Sequence, residues 1–210
     1  MMATRRLWIQ RVAMATFATL LVAGCNLTRP APVKATYLLE PTAPAAVTRA
    51  HPGTVRMGVV NVGAPFRGRT FVSRESDLRY ETDYYNEFFV PPAVNIADAT
   101  ARALSLGKVF TAVAPPGSAA DAEWVLDAFV GSLYGDARDV SKPMAVIAVT
   151  YYLSLGRGST STPFWSRTYE RRLPFTAGST ASYVDALNKA LTDILAEMTR
   201  DVATVSLPAT

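Results

Sequence analysis

The fold is decided by the segment from Met144 to Leu155, which reads Met-Ala-Val-Ile-Ala-Val-Thr-Tyr-Tyr-Leu-Ser-Leu. It is rich in β-branched and aromatic residues, which favour strands. The Gly, Ser and Thr residues of 156–163 indicate a hairpin loop, and Phe164 to Phe175 predicts the returning strand. Trp124 to Tyr134 has a similar composition and predicts another long strand. The centre of the chain is therefore predicted to be a sheet.

Shorter strands are predicted in the N-terminal half, where apolar residues alternate with polar ones between segments rich in Pro and Gly. Between the first two strands, the segment from Pro41 to Gly53 is rich in Pro, Ala and Thr and predicts a long loop. The predicted strands are Ala35 to Glu40, Val55 to Val62, Phe71 to Arg74, Leu78 to Glu81 and Val109 to Val113, the third and fourth forming a hairpin.

Two helices are predicted. The first runs from about Ala93 to Leu106, follows Pro91-Pro92 and is ended by Gly107. The second closes the chain, with Ser182 as its predicted N-cap and an apolar residue at every third or fourth position. Its apolar residues are Val184, Leu187, Leu191, Ile194, Met198, Val202 and Val205. Strands followed by a helix, more strands and a closing helix predict an α+β fold: a mostly antiparallel sheet with two helices packed on one face.

The beginning of the chain has the features of an export signal. Arg5, Arg6 and Arg11 precede an uncharged apolar run from Val12 to Gly24. As a helix this run reaches about 20 Å, whereas the hydrocarbon core of a bilayer is about 30 Å thick. The run therefore predicts a removable signal peptide.

The signal ends in Leu21-Val22-Ala23-Gly24-Cys25, which resembles the bacterial lipobox. The resemblance implies lipid attachment to the Cys25 thiol, cleavage before Cys25, and acylation of the new amino terminus, with palmitate as the expected chain. Cys25 is the only cysteine of the chain and stands where the motif requires it. An ordinary secretory signal with a chance cysteine is the alternative.

The domain organisation follows from these segments. Residues 1–24 are predicted to be the signal peptide, 25–34 the lipidated tether, and 35–207 a single α+β domain. Asn26 follows Cys25, whereas an Asp usually retains lipoproteins at the inner membrane, so the predicted location is the periplasmic face of the outer membrane. The membrane is reached through the lipid anchor at Cys25.

The basic charge of the chain belongs mainly to its signal. Of 21 Lys and Arg residues, three precede Cys25, and none of the 17 Asp and Glu residues does. The remainder carries 18 basic and 17 acidic residues, a net charge of +1. A near-neutral surface argues against nucleic acid as a partner.

The sequence offers little for catalysis, and no catalytic residue, metal site or cofactor is predicted. His51, the only histidine, lies in a proline-flanked loop without a recognisable partner. A carboxylate-only site stays open, because Asp77, Glu81, Asp83 and Glu87 lie close together in sequence. We interpret these four as acidic residues on an exposed strand edge.

The densest feature of the mature chain is aromatic. Five large rings within ten residues exceed what one face of a strand can bury, so some are predicted to lie on a second surface. That surface would be an apolar patch for a protein partner or a lipid chain. The candidate contact residues are Tyr80, Tyr84, Tyr85, Phe88 and Phe89, with Phe66 and Arg67 of the loop 63–69.

The mature chain resembles the ABC-type transport auxiliary lipoproteins, which include the lipoprotein of the paraquat-inducible lipid-transport system. The resemblance covers about residues 35–205 and rests on several short segments. These are Tyr37-Leu38-Leu39, Val62 to Pro65, the stretch from Tyr84-Tyr85 to Pro92, and Trp165-Ser166-Arg167. Phe88-Phe89 stand where members often have a tryptophan.

The resemblance implies a non-enzymatic partner of an ABC permease and a mammalian-cell-entry domain protein, in a system that moves lipids or other hydrophobic compounds. Two alternatives are kept. One is a lipid-carrying module whose own apolar cavity holds an acyl chain, which a cavity of several hundred Å³ would favour. The other is an envelope hydrolase with clustered carboxylates in a cleft. Self-association is left open.

Overall fold

Eight strands and two α-helices make up the part of the chain that the computed structural model describes, residues 33–48, 50–156 and 162–208. The predicted signal peptide and Cys25 lie outside these residues. The helices are α1 (Pro92–Leu106) and α2 (Thr180–Thr204), and a short 3-10 turn covers Ala64–Phe66. In chain order the strands are β1 (Ala35–Tyr37), β2 (His51–Val62), β3 (Thr70–Arg74), β4 (Tyr80–Phe88), β5 (Phe110–Ala114), β6 (Trp124–Asp136), β7 (Met144–Leu155) and β8 (Trp165–Pro174).

Strand β6 organises the sheet, because it pairs with three other strands, β2, β3 and β7. Along one edge it pairs with β7 over its whole length, and β8 lies beyond β7. Along the other edge, β2 pairs with Trp124 to Val130, and β3 pairs with Gly135 and Asp136. The sheet therefore divides: β5 lies outside β2, whereas β4 and then β1 lie outside β3.

The predicted α+β class with two helices is confirmed, but the prediction of a mostly antiparallel sheet is wrong. The pairs β1–β4, β2–β5, β2–β6 and β3–β6 are parallel, and β3–β4, β6–β7 and β7–β8 are antiparallel. Alternation of apolar residues is the same in both kinds of pair, so it does not reveal strand direction. The direction depends on the connections between the strands. The chain passes through β3, β4 and α1 after β2, and this long connection allows β5 to run parallel to β2.

Both helices contact the same face of the sheet. In α1, Thr100 shares a hydrogen bond with the hydroxyl of Tyr151 on β7, with the two oxygens 3.0 Å apart. In α2, Asp201 accepts a hydrogen bond of 2.7 Å from the hydroxyl of Tyr169 on β8. The rings of Tyr151 and Tyr169 contact each other with centroids 6.1 Å apart, so both helices lie over one surface. Neither helix of the described chain is long and apolar enough to cross a membrane.

The core lies between this face and the helices. The apolar residues predicted for the closing helix from Val184 to Val202 are buried, and Leu191 is fully enclosed. The predicted cap is wrong by one turn: Ser179, and not Ser182, is the N-cap, and its Oγ accepts a hydrogen bond from the backbone N–H of Ser182. Helix α2 begins earlier because this serine satisfies one of its free amides.

Two buried tyrosines give a matched test of this core. The Tyr151 hydroxyl is hydrogen-bonded to Thr100, whereas the Tyr183 hydroxyl is buried without a hydrogen-bond partner in the described part of the chain. Tyr151→Phe leaves Thr100 unsatisfied and should lower the free energy of unfolding by about 1–3 kcal/mol. Tyr183→Phe removes only an unsatisfied group and should leave stability unchanged or raise it. Urea denaturation of both variants measures this, and equal losses would contradict it.

Candidate functional site

Strand β4 carries a bulge where it pairs with β3. Glu87 lies opposite Thr70, but the next paired residues are Thr82 and Val72. Residues 83–86 of β4 therefore face a single residue of β3. Extra residues in one strand of a pair bend that strand and redirect its side chains. The observed strand, Tyr80–Phe88, is also longer than the predicted segment that ended at residue 81.

The Asp83 carboxylate fixes the shape of this bulge. Its Oδ1 accepts hydrogen bonds from the backbone N–H groups of Tyr85 at 2.7 Å and Asn86 at 3.0 Å. Its Oδ2 accepts a third, of 2.7 Å, from the side-chain amide of Asn86. Hydrogen bonds from an Asp side chain to the backbone two or three residues ahead are typical of turns. The bulge is therefore held by a side chain as well as by strand pairing.

Four exposed apolar side chains follow the outer edge that β1 and β4 form. Tyr84 is 68% exposed and Tyr85 is 51% exposed, and their rings contact edge to face with centroids 5.2 Å apart. Phe89 and Leu38, 61% and 39% exposed, follow the ends of the two strands. The backbone N–H of Phe89 donates to the carbonyl oxygen of Tyr37 at 2.6 Å. We call Leu38, Tyr84, Tyr85 and Phe89 the aromatic edge.

The predicted tether joins the domain beside the aromatic edge. Strand β1 begins at Ala35, which lies opposite Asn86 of the bulge. The ammonium of Lys34 lies 5.2 Å from the ring centroid of Tyr84 and 3.7 Å from the Glu87 carboxylate. The aromatic edge is thus next to the point where the chain enters the domain.

The structure separates the residues that were predicted as partner contacts. Tyr84, Tyr85 and Phe89 belong to the aromatic edge. Phe88 is 4% exposed and packs edge to face against Phe71, with ring centroids 4.6 Å apart, so it belongs to the core. Leu38 was not among the predicted contacts. Neighbouring residues at a strand end point to opposite sides, so one of Leu38 and Leu39 could have been expected at the surface; Leu39 is the buried one.

The other predicted contacts lie elsewhere in the fold. Phe66 is buried and stacks on Tyr134 of β6, with ring centroids 5.5 Å apart. Tyr80 packs against the same tyrosine, at 5.8 Å, and is partly exposed. Arg67 is exposed at the end of the 3-10 turn. Phe66 therefore faces the interior, and Tyr80 lies on a different part of the surface from Tyr84.

The four neighbouring carboxylates are engaged in separate interactions. Asp83 holds the bulge, and Glu81 pairs with Arg79. Glu87 accepts from Arg69 at 2.8 Å, and Asp77 accepts from Arg138 at the same distance. Within residues 33–48, 50–156 and 162–208, no group of His, Cys, Asp and Glu is arranged to hold a metal ion.

His51 has a structural contact. It is the first residue of β2 and not part of a loop as predicted. Its Nε2 donates a hydrogen bond of 2.7 Å to the carbonyl oxygen of Val202, near the end of α2. The ring also contacts Phe110, with centroids 5.3 Å apart. The imidazole therefore links the start of β2 to the closing helix.

Asp136 is a buried carboxylate between two arginines. Its side chain is 6% exposed, and both of its oxygens accept hydrogen bonds of 2.9 Å from Arg138. Arg172 donates a third hydrogen bond, of 2.6 Å. The Arg138 hydrogen bonds, aided by Arg172 and opposed by burial, hold the pKa of Asp136 far below its ordinary value. The arrangement ties the end of β6 to β8.

We expect Asp136→Asn to lower the free energy of unfolding at neutral pH by about 1–3 kcal/mol, since two partly exposed arginines lose their shared anion. The folded pKa lies below the unfolded value of about 3.9, so the stabilisation is complete above that value and declines as the pH falls below it. The difference in the free energy of unfolding between wild type and Asp136→Asn should therefore become smaller below about pH 4. Denaturation at pH 7 and pH 3 measures it, and a difference independent of pH would contradict the assignment.

These features define an α+β domain with a mixed sheet, two helices on one face and an exposed aromatic edge beside its entry segment. No protein-family model and no curated protein matches the chain. Solved structures do match. A Xanthomonas campestris protein assigned to the family DUF330 has 18% identity and a TM-score of 0.68, with 79% of this chain and 92% of that chain covered.

Two further structures are similar to this chain. An uncharacterised protein has 16% identity and a TM-score of 0.62, with 81% of this chain and 99% of that chain covered. The lipoprotein GNA1162 of Neisseria meningitidis has 14% identity and a TM-score of 0.38, with 70% and 99% covered. At these identities the first two structures show a shared fold alone, and the third is too dissimilar to support a conclusion. The role in ABC and mammalian-cell-entry transport stays a prediction.

Proposed function

We propose that this chain is a lipid-anchored, non-catalytic subunit of an envelope system that transports lipids or other hydrophobic compounds. In this role its aromatic edge docks on a mammalian-cell-entry domain protein that works with an ABC permease. The observation that carries the proposal is the exposure of Tyr84, Tyr85 and Phe89 on a domain with a large buried core. Exposed apolar side chains grouped along one edge of a domain are typical of interaction surfaces, where tyrosine and phenylalanine are enriched.

The bulge supports docking because it prepares the surface before a partner arrives. Asp83 fixes the backbone at Tyr85 and Asn86, and the two tyrosine rings already contact each other. Ordering side chains at an interface costs about 0.5–1.5 kcal/mol for each flexible side chain. A surface that is ordered in the free protein avoids part of this cost.

The tether supports the same interpretation. Nine extended residues span at most about 30 Å, so a protein lipidated at Cys25 stays close to its membrane. A docking subunit gains a high effective concentration beside a membrane-spanning assembly, whereas a diffusing enzyme gains little. Near-neutral charge further favours recognition by shape and apolar contact over long-range attraction.

Two observations support a non-catalytic role. The single histidine is hydrogen-bonded to a backbone carbonyl of α2 and packs against Phe110. The carboxylates considered for a hydrolase are distributed between ion pairs and the bulge. Their interactions account for their positions without a substrate.

The docking role predicts that Tyr84→Ser, Tyr85→Ser and Phe89→Ser together weaken capture of the partner. The mature lipoprotein, solubilised in mild detergent, should co-purify with a mammalian-cell-entry domain protein. We expect the triple variant to recover at least about tenfold less partner, because each ring loses apolar contact area on the partner. Mass spectrometry of the captured proteins measures the recovery.

A matched control replaces three exposed apolar residues outside the aromatic edge: Val59→Ser, Leu78→Ser and Leu106→Ser. This variant should capture the partner as well as wild type does. Both variants must retain a native circular dichroism spectrum. Equal capture by the folded aromatic-edge variant would remove the edge from the interface, and the absence of such a partner from wild type would refute the docking role.

A further inference from the structure

A cleft of about 440 Å³ opens between the start of α2 and the bulge of β4. The rings of Phe71, Phe175 and Tyr183 contribute to one side, and Ala137 and Val140, between β6 and β7, contribute to another. Small-molecule sites in proteins commonly have volumes of about 300–1,000 Å³ and mainly apolar walls. The cleft meets both conditions.

The aromatic wall is continuous and already formed. The ring of Tyr183 contacts Phe71 and Phe175 edge to face, with centroid distances of 5.4 Å and 5.2 Å. Gly135 of β6 lies beneath, and a Cβ atom there would lie 3.5 Å from the Tyr183 ring. The ring therefore packs directly on the strand. Phe71 and Tyr183 are 5% and 6% exposed, so an apolar chain in the cleft would contact a small part of these two rings together with the partly buried ring of Phe175.

The polar groups around the cleft favour a neutral head group. Among the described lining residues there is no Lys, Arg or His, and Asp83 adds a carboxylate that repels anions. Ser179 and Thr180 provide hydroxyl groups at the start of α2. Hydroxyl groups suit the ester and alcohol oxygens of an uncharged lipid.

The position of the cleft explains where such a ligand would come from. Asp83 and Asn86 line the cleft and belong to the bulge that carries Tyr84 and Tyr85. Asn86 also pairs with Ala35, the first residue after the predicted tether, which ends at Lys34. The cleft therefore lies beside the end of a tether that keeps the domain within about 30 Å of a bilayer.

From these observations we infer that the cleft binds the acyl chain of a neutral, single-chain lipid such as a monoacylglycerol. The chain lies along Phe71, Phe175 and Tyr183, and the glyceryl oxygens lie near Ser179 and Thr180. This inference uses the lipid anchor of the proposed function but not the docking partner. The two can therefore fail independently.

The test uses the mature lipoprotein in phosphatidylethanolamine liposomes that contain a trace of monoacylglycerol with a diazirine at the end of its chain. Illumination followed by peptide mapping should place adducts in the cleft, at Val140 and Phe175. Ala137→Trp and Ala177→Trp each fill part of the cleft and should lower labelling there by about tenfold. Ala112→Trp, at an exposed position of β5, is the matched control and should label as wild type does.

Each outcome decides the inference. Wild-type adducts confined to the tether or the aromatic edge, or absent from the protein, would refute it even if both tryptophan variants fail to fold. Unchanged labelling of the cleft in either folded variant would also refute it. A diazirine fatty acid at pH 8 should label the cleft about tenfold less than the monoacylglycerol, because the described lining of the cleft holds the carboxylate of Asp83 and no cationic side chain. Equal labelling by the two probes would overturn the preference for a neutral head group.

Discussion

The variant Cys25→Ala is expected to stay uncleaved and to carry no lipid. The lipobox-like segment implies that the thiol of Cys25 receives the glyceryl lipid before the signal is removed. The chain has no second cysteine that could replace it. A single acyl chain gives only marginal membrane binding, whereas two lipid signals suffice for stable anchoring, so the variant should lack the stable lipid anchor that is expected for the wild type. The unprocessed variant should instead remain held by its apolar signal.

Metabolic labelling with a fatty acid and the electrophoretic mobility of the precursor measure this effect. Density-gradient fractionation of wild type should place the lipidated protein with outer-membrane markers, because Asn26 follows Cys25. Lipid labelling that persists in the variant would disprove the assignment of Cys25. Fractionation of wild type with inner-membrane markers would disprove the location but not the anchor.

A second large effect is expected in the core, where Leu191→Ala should lower the free energy of unfolding by about 2–5 kcal/mol. Leu191 lies in the middle of α2 and has no exposed surface, because its side chain is enclosed in the core between the helix and the sheet. Truncating a fully enclosed leucine removes apolar contacts and leaves a cavity that the surroundings fill only in part.

Urea denaturation compares this variant with Leu78→Ala. Leu78 is 95% exposed, so its truncation should change the free energy of unfolding by no more than about 0.5 kcal/mol. Similar small changes in both variants would mean that α2 is peripheral to the stability of the domain.

The sequence predicts most of the elements of this fold but not their arrangement. Strand β7 and helix α1 lie close to the predicted segments. In a long segment with a single hydrophobic period, the sequence itself indicates which residues are buried. Strand direction is different, because it depends on pairing between distant segments. Nothing local in β2 or β6 shows that Val55 lies beside Trp124 in a parallel pair.

The candidate surface was predicted in part for a similar reason. The density of rings from Tyr80 to Phe89 correctly indicated that some would be exposed. Which rings those are depends on the bulge, because the extra residues reset the alternation between Tyr84 and Phe88. The hydrogen bonds of Asp83 that fix the bulge leave a weak signal, an Asp followed by Asn three residues later.

The cleft had no signal in the sequence. Phe71, Phe175 and Tyr183 come from three separate elements, and each alone has the pattern of a core residue. They form one wall only because β3 and β6 pair beside the start of α2. A site made by distant segments becomes visible only in the folded chain.

The central place of β6 has a consequence for the order in which the sheet can form. Strands β2 and β3 both depend on β6, and the contact between Thr54 and Glu123 joins residues 69 positions apart. Contacts over such a long sequence separation slow folding, because a long loop must close before the strands can pair. A chain that emerges from its N-terminus presents β2 and β3 well before their partner strand exists. Unpaired strand edges promote aggregation, so the interval before β6 is available is the period in which the chain is most exposed to it.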